Sequence, residues 1–272
     1  MEESVLLVLL GIVVGAYGTL IGAGGGFILV PVLLLIYPHD APITITTISL
    51  AVVFCNALSG TLAYTRMRRV DYRTGLIFAA AAIPGSIVGV FANGLFARRP
   101  FDMLLGVLLI VVALWVVIQP ASNETPAGEA ASANSRELTD AAGTTYRYTV
   151  KRNLGIAISV MVGFLSSLLG IGGGIIHVPA MVQVLGIPPH IATATSHFVL
   201  ALTTLTGSAT HALHGDFAHT IRRIIPLAIG VIVGAQAGAA LSTRLHGNLI
   251  IRLLALALGL MGIRLIVSAI TG

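Results

Sequence analysis

Residues Gly15-Ala-Tyr-Gly-Thr-Leu-Ile-Gly22-Ala-Gly24-Gly25-Gly26, running on to Pro31, return as Gly163-Phe-Leu-Ser-Ser-Leu-Leu-Gly170-Ile-Gly172-Gly173-Gly174, running on to Pro179. The offset is 148 throughout. At an offset of 147 the likeness continues: Pro42 matches Pro189, Thr46 matches Thr193, Ser49 matches Ser196, Asn56 matches Thr203 and Gly60 matches Gly207. Agreement without gaps inside each stretch marks an internal repeat. Glycine lets the backbone leave helical geometry without a side-chain penalty. Each cluster also precedes an apolar stretch of about a dozen residues, too short to cross ~30 Å of hydrocarbon as one helix. The motif therefore predicts broken or half-length helices at matching places in two related halves.

Composition says what surrounds those turns. Of 272 residues 56% are hydrophobic and 9% charged, against roughly a quarter charged in soluble domains. A soluble chain of this length has no interior able to hide so much apolar side chain, whereas a bilayer does not require it to be hidden. Apolar segments run over 4–21, 26–37, 43–65, 74–96, 101–118, 151–169, 174–186, 190–213, 221–242 and 249–270. The expected fold is an all-α membrane protein with about ten transmembrane segments. These form a first repeat (1–118) and a second repeat (151–272), joined by a polar linker (119–150). Five segments is an odd number, as is three spans plus a re-entrant hairpin. The second repeat therefore enters from the opposite side, and the repeats are inverted about an axis in the membrane plane. The linker, rich in Ala, Ser, Thr and Gly with four acidic residues, cannot bury a core and is expected to be mobile.

Charge sets orientation and excludes other classes. The net charge of +5 lies in short basic runs between apolar stretches, which is how topology signals are distributed and not a nucleic-acid face. Ten basic residues, among them Arg66, Arg69, Lys151 and Arg152, fall on the linker's side, against Arg98, Arg99, Arg222 and Arg223 on the other. The positive-inside rule then puts the linker in the cytoplasm and both termini outside, in a multi-pass protein of the inner membrane. The start, Met1-Glu2-Glu3, has no basic leader, so the first helix is expected to stay. The single cysteine, Cys55, excludes an intramolecular disulfide.

Chemistry concentrates at the turns. Gly22, Gly24, Gly25 and Gly26, with Gly170, Gly172, Gly173 and Gly174, precede short helices whose first turns leave backbone N–H groups unpaired, a setting that favours anions. Tight helix packing is the alternative role for the same glycines. Ser49, Asn56 and Gly60 share one helical face, repeated by Ser196, Thr203 and Gly207, and Thr19 and Ser167 precede the turns at matching places. Such groups either complement an oxyanion's lone pairs or bond neighbouring helices. Apart from Cys55, histidine is the titratable type within the spans. His177 and His197 are candidates for solute contact or proton acceptance, or else neutral packing residues. The cluster His211, His214, Asp216 and His219 offers an alternative, a metal-ion permease. No metal site or cofactor is assigned, and no paired nucleophile and base or carboxylate dyad marks an enzyme. A dinucleotide fold would need strands around the glycines, and a G-x-x-x-x-G-K-[ST] nucleotide loop does not occur.

Two copies of a G-x-G-G-G turn followed by proline, placed around a polar linker, resemble the TauE/SafE family of sulfite and sulfonate permeases. The likeness covers 4–118 and 151–270, and is closest at Leu169-Gly-Ile-Gly-Gly-Gly174 through Pro179 and at Pro189 to Ser196. The resemblance implies transport of a small, often sulfur-containing anion, by movement of one half against the other around a central site.

Overall fold

A computed structural model of the chain describes residues 2–118, 135–215, 217, 220–245 and 247–271. The first part forms α1 (Glu2–Leu20), α2 (Gly26–Ile36), α3 (Pro42–Arg66), α4 (Tyr72–Asn93) and α5 (Arg98–Ile118). Strands β1 (Ser135–Thr139) and β2 (Thr145–Thr149) follow. Next come α6 (Arg152–Leu169), α7 (Gly174–Pro179), which widens into a π-helical turn over Ala180–Val184, α8 (Pro189–Leu213), α9 (Ile221–Ser242) and α10 (Gly247–Thr271). Among the described residues seven helices are long and apolar enough to cross a membrane: α1, α3, α4, α5, α6, α9 and, over Leu249–Ile270, α10. At 25 residues α8 matches α3 in length, but it carries Thr193, Thr195, Ser196, His197, Thr203 and Thr204, all buried. These polar residues lower its hydropathy, and in a bilayer only an enclosed helix can carry them.

The helix boundaries follow from local chemistry. Pro42 and Pro189 open α3 and α8 at the first helical position, where a missing N–H costs nothing. Asp71 caps α4 by accepting from the Thr74 backbone N–H at 3.0 Å. At the glycine clusters the chain reverses. Gly22, Gly24 and Gly25 have φ of 80°, 75° and 83°, and Gly170 and Gly172 both have 67°, a left-handed region that L side chains avoid. Each reversal makes a helical hairpin. The open end of α1–α2 is closed by a hydrogen bond from the Tyr37 hydroxyl to Glu3 at 2.7 Å. In the second hairpin Leu185 packs beside Gly155, near the start of α6.

Helices pack mainly across the two halves of the sequence. The most extensive pairings are α1 with α9, α4 with α6, α5 with α10 and α3 with α8. The first two seams are lined by small residues. A methyl group on Gly15 would lie 2.6 Å from Val231 Cα, and one on Gly163 would lie 2.9 Å from Ala82 Cα. Both places need glycine for backbone-to-backbone approach. Around α3 and α8 lies a fully buried set that includes Phe27, Leu29, Ile45, Ile48 and Val178.

The second part of the linker is not the structureless segment expected from its composition. Strands β1 and β2 pair antiparallel, with Arg136 opposite Tyr148 and Leu138 opposite Tyr146. The turn between them is held by Asp140, whose carboxylate accepts from the Ala142 and Thr144 backbone N–H groups at 2.9 and 3.0 Å. The hairpin then docks on the α3–α4 loop. Arg69 reaches the Asp140 carboxylate at 3.1 Å, the Ala141 N–H donates to Met67 O at 2.9 Å, and the Tyr148 hydroxyl donates to Asp71 at 2.9 Å. Burial by itself would raise the Asp140 pKa. The Thr144 N–H, the Arg69 guanidinium and the Ala142 N–H outweigh it and hold the carboxyl below its ordinary value.

Candidate solute site

The two glycine turns cross against each other beside α3 and α8, and their contacts are reciprocal. A methyl group on Gly26 would lie 2.6 Å from the Ile171 carbonyl carbon, and one on Gly174 would lie 2.5 Å from Ala23 Cα. One on Gly22 would meet Thr193 Cα at 2.9 Å, and one on Gly170 would meet Thr46 Cα at 2.8 Å. The Ser49 hydroxyl donates to Gly170 O at 2.6 Å, and the Ser196 hydroxyl donates to Gly22 O at 3.2 Å. Gly24 and Gly172 share the side chains of Val53 and Leu200, which pack between the turns.

Hydrogen-bond accounting shows which polar groups are already engaged. Ser49 and Ser196 give their protons to the turn of the other half. Asn56 donates to Gly24 O at 3.0 Å and accepts from Thr19 at 3.2 Å. Thr203 donates within its own helix, to Val199 O or Leu200 O. His197 meets Thr19 Oγ1 through Nε2 at 3.2 Å and stands edge-on to Tyr64, with ring centroids 5.6 Å apart. His177 meets Ser159 Oγ through Nε2 at 3.0 Å. Since Ser159 donates its own proton to Gly155 O, the proton in that contact belongs to the imidazole.

A small cavity opens beneath the α6–α7 turn. Its wall includes Ala82, Ser166, Gly173, Gly174, His177 and Thr203. Ser166 is 1% exposed, and its hydroxyl has no hydrogen-bond partner among the described residues. Next to it Ser167 pairs with Ser86 at 2.6 Å, and Ser86 donates to Thr203 O at 3.1 Å. The cavity thus joins four of the positions singled out in the sequence (Gly173, Gly174, His177 and Thr203) to others that were not, Ser166 and Ala82 among them. The repeat does not signal Ser166, because the matching residue in the first half is Gly18.

A family model described as sulfite exporter TauE/SafE matches residues 7–265. The chain belongs to that family. Among similar proteins, the probable membrane transporter protein YunE of Bacillus subtilis is 35% identical, with 98% of each chain covered. The probable membrane transporter protein MJ0441 of Methanocaldococcus jannaschii is 25% identical over 95% of this chain and 93% of its own. A probable membrane transporter protein of Xylella fastidiosa is 25% identical over 84% and 81%. No solved structure matches the chain. With seven helices able to span a bilayer, this TauE/SafE chain is a multi-pass membrane protein of a transporter family.

The histidine cluster fares differently in this TauE/SafE protein. Asp216 and His219 lie outside the described residues. Of the two that remain, His211 is fully buried with Nδ1 against Thr47 Oγ1 at 3.0 Å. His214 is exposed, with Nδ1 on Thr210 O at 2.7 Å and its ring edge-on to Phe91. Among the described residues no group of three or more His, Cys, Asp or Glu is placed to hold a metal ion.

Proposed function

We propose that this protein is a secondary permease for a small, sulfur-containing anion such as sulfite or an organosulfonate. It works by alternating access around a mid-membrane site between two inverted five-segment repeats. In this reading α1–α2 and α6–α7 are re-entrant hairpins whose glycine turns meet near the membrane centre. The linker hairpin lies in the cytoplasm, both termini lie outside, and the membrane is the inner membrane. The observation that carries the reading is the reciprocal crossing of the turns, with Gly26 on Ile171, Gly174 on Ala23, and Ser49 and Ser196 on opposite turns. A twofold axis in the membrane plane produces contacts of that kind. The anion preference draws support from the cavity wall, which presents hydroxyl and glycine backbone groups and, among its lining residues, no carboxylate. The family description supplies the sulfur chemistry.

The chain's own sequence carries no nucleotide-binding loop, so a gradient of solute or ion drives the flux. The test is uptake of radiolabelled sulfite into proteoliposomes, with methanesulfonate and thiosulfate as competitors and with an imposed pH gradient. Saturable uptake inhibited by these anions is expected. Liposomes with protein that take up sulfite no faster than empty ones would refute the reading.

A further inference from the structure

The two turns are related but not equivalent, and their differences are written in the sequence. The first turn is closed. Ala23 and Gly24 donate their N–H groups to Gly18 O at 2.9 and 3.1 Å, and Gly25 takes φ of 83°. That closure needs a glycine at position 18, because a methyl group there would lie 2.5 Å from Gly25 Cα. In the second half Ser166 stands at the matching place, and Gly173, the counterpart of Gly25, has φ of −63°. Among the described residues neither Ile171 nor Gly172 makes a backbone bond to Ser166. A serine side chain cannot occupy the space that the closed turn would need, so the second turn is built open.

The space around each turn differs in the same sense. Leu29 fills the position corresponding to His177, and it is fully buried. Val231 packs on Gly15 as the smaller Ala82 packs on Gly163, and Gly15 and Gly163 are themselves counterparts. Larger aliphatic groups therefore occupy around the first turn what is left as a cavity around the second. Into that cavity faces the Ser166 hydroxyl, buried and without a partner among the described residues, although its neighbours Ser167, Ser86 and Thr203 are all engaged. A buried hydroxyl left over in this way calls for something to receive its proton.

We propose that the solute sits off the twofold axis, in the cavity beneath the α6–α7 turn, where the Ser166 hydroxyl donates to a small oxyanion and Ala82 leaves the room for it. The proposal rests on the permease reading and deepens it: of two related turns only one is a seat, and the cargo is a compact oxyanion of sulfite size. His177, with its Nε2 proton held by Ser159, forms part of the wall of that seat.

Three variants test it in proteoliposomes with sulfite as the probe, each checked for an unchanged thermal unfolding midpoint in detergent. Ser166→Ala removes the donor and is expected to raise KM for sulfite about tenfold to a hundredfold, with the maximal rate much less affected. Ala82→Val copies the residue that packs beside the first turn, fills the seat and is expected to abolish saturable uptake. Val231→Ala, the converse change at the other turn, is expected to leave KM within about twofold. Should Ala82→Val not fold, the KM of Ser166→Ala decides alone. Wild-type kinetics in Ser166→Ala overturn the seat while leaving the permease reading intact. A wild type that moves neither sulfite nor methanesulfonate overturns both.

Discussion

At the residue scale, most of what holds the centre together is the absence of side chains. A methyl group on Gly174 would press 2.5 Å from Ala23 Cα and 2.5 Å from Gly22 O, both backbone atoms that cannot rotate aside. Gly259 on α10 has nothing nearer than 4.0 Å. The same substitution should therefore have opposite outcomes at the two positions. Gly174→Ala is expected to cost several kcal/mol, on the order of 3 or more by the measure of overpacked cores. Gly259→Ala is expected to be neutral, or to stabilise by up to ~1 kcal/mol through helix propensity. Thermal unfolding in detergent reads both, and equal midpoints for the two variants would refute the crossing of the turns. The sequence already showed that both clusters were special, since their spacing and the prolines beyond them repeat. It could not separate glycines that pack from glycines that line a cavity, because that depends on which backbone arrives from the other half.

At the element scale, the docked hairpin makes the clearest prediction. The Asp140 carboxyl titrates below the ordinary aspartate value, near 3.9 in the unfolded chain. Docking is thus fully supported above about pH 4 and weakens as pH falls through the lowered folded value. Removing one partner of the buried Arg69–Asp140 pair with Asp140→Asn should loosen the hairpin at neutral pH by roughly 3 kcal/mol and remove that acid dependence. Hydrogen exchange over residues 135–149, corrected for intrinsic rates, measures it. Protection equal to wild type at pH 7 would show that the pair does not hold the hairpin. The signal for this element was present in the sequence, as alternating β-formers in Thr-Tyr-Arg-Tyr-Thr and a turn with Asp140 and Gly143. Averaging the whole linker into one polar segment hid it. The helices were far more legible, because a bilayer imposes length and apolarity on every span.

At the scale of the whole molecule, the orientation can be checked independently of transport. In a Cys55→Ala background, Thr145→Cys at the start of β2 is expected to react with a membrane-impermeant maleimide only in inside-out vesicles. Leu95→Cys, in the α4–α5 connection, is expected to react only from the outside. Both residues are exposed, so labelling of the two from the same face would overturn the topology. Both ends of the molecule are also tied across the halves. At one end the Asp71 N–H donates to Thr195 at 3.0 Å. At the other Arg223 forms an ion pair with Asp40 and lies 3.7 Å over the Tyr37 ring. The expectation that one half swings against the other as a body meets this packing directly, since α1 leans chiefly on α9, and α4 on α6.

That crossed packing bears on how the protein is made. The nascent chain enters the membrane from its N-terminus, and when α5 leaves the ribosome none of α1, α4 or α5 has yet met the helix that covers its small-residue face. Lipid has to stand in for α6, α9 and α10 until each emerges, and the seams close in the order α4, α1 and α5. The first half is then a loosely associated set of spans waiting for its complement, and the final step of assembly is an interlocking of two threads rather than a docking of two finished parts.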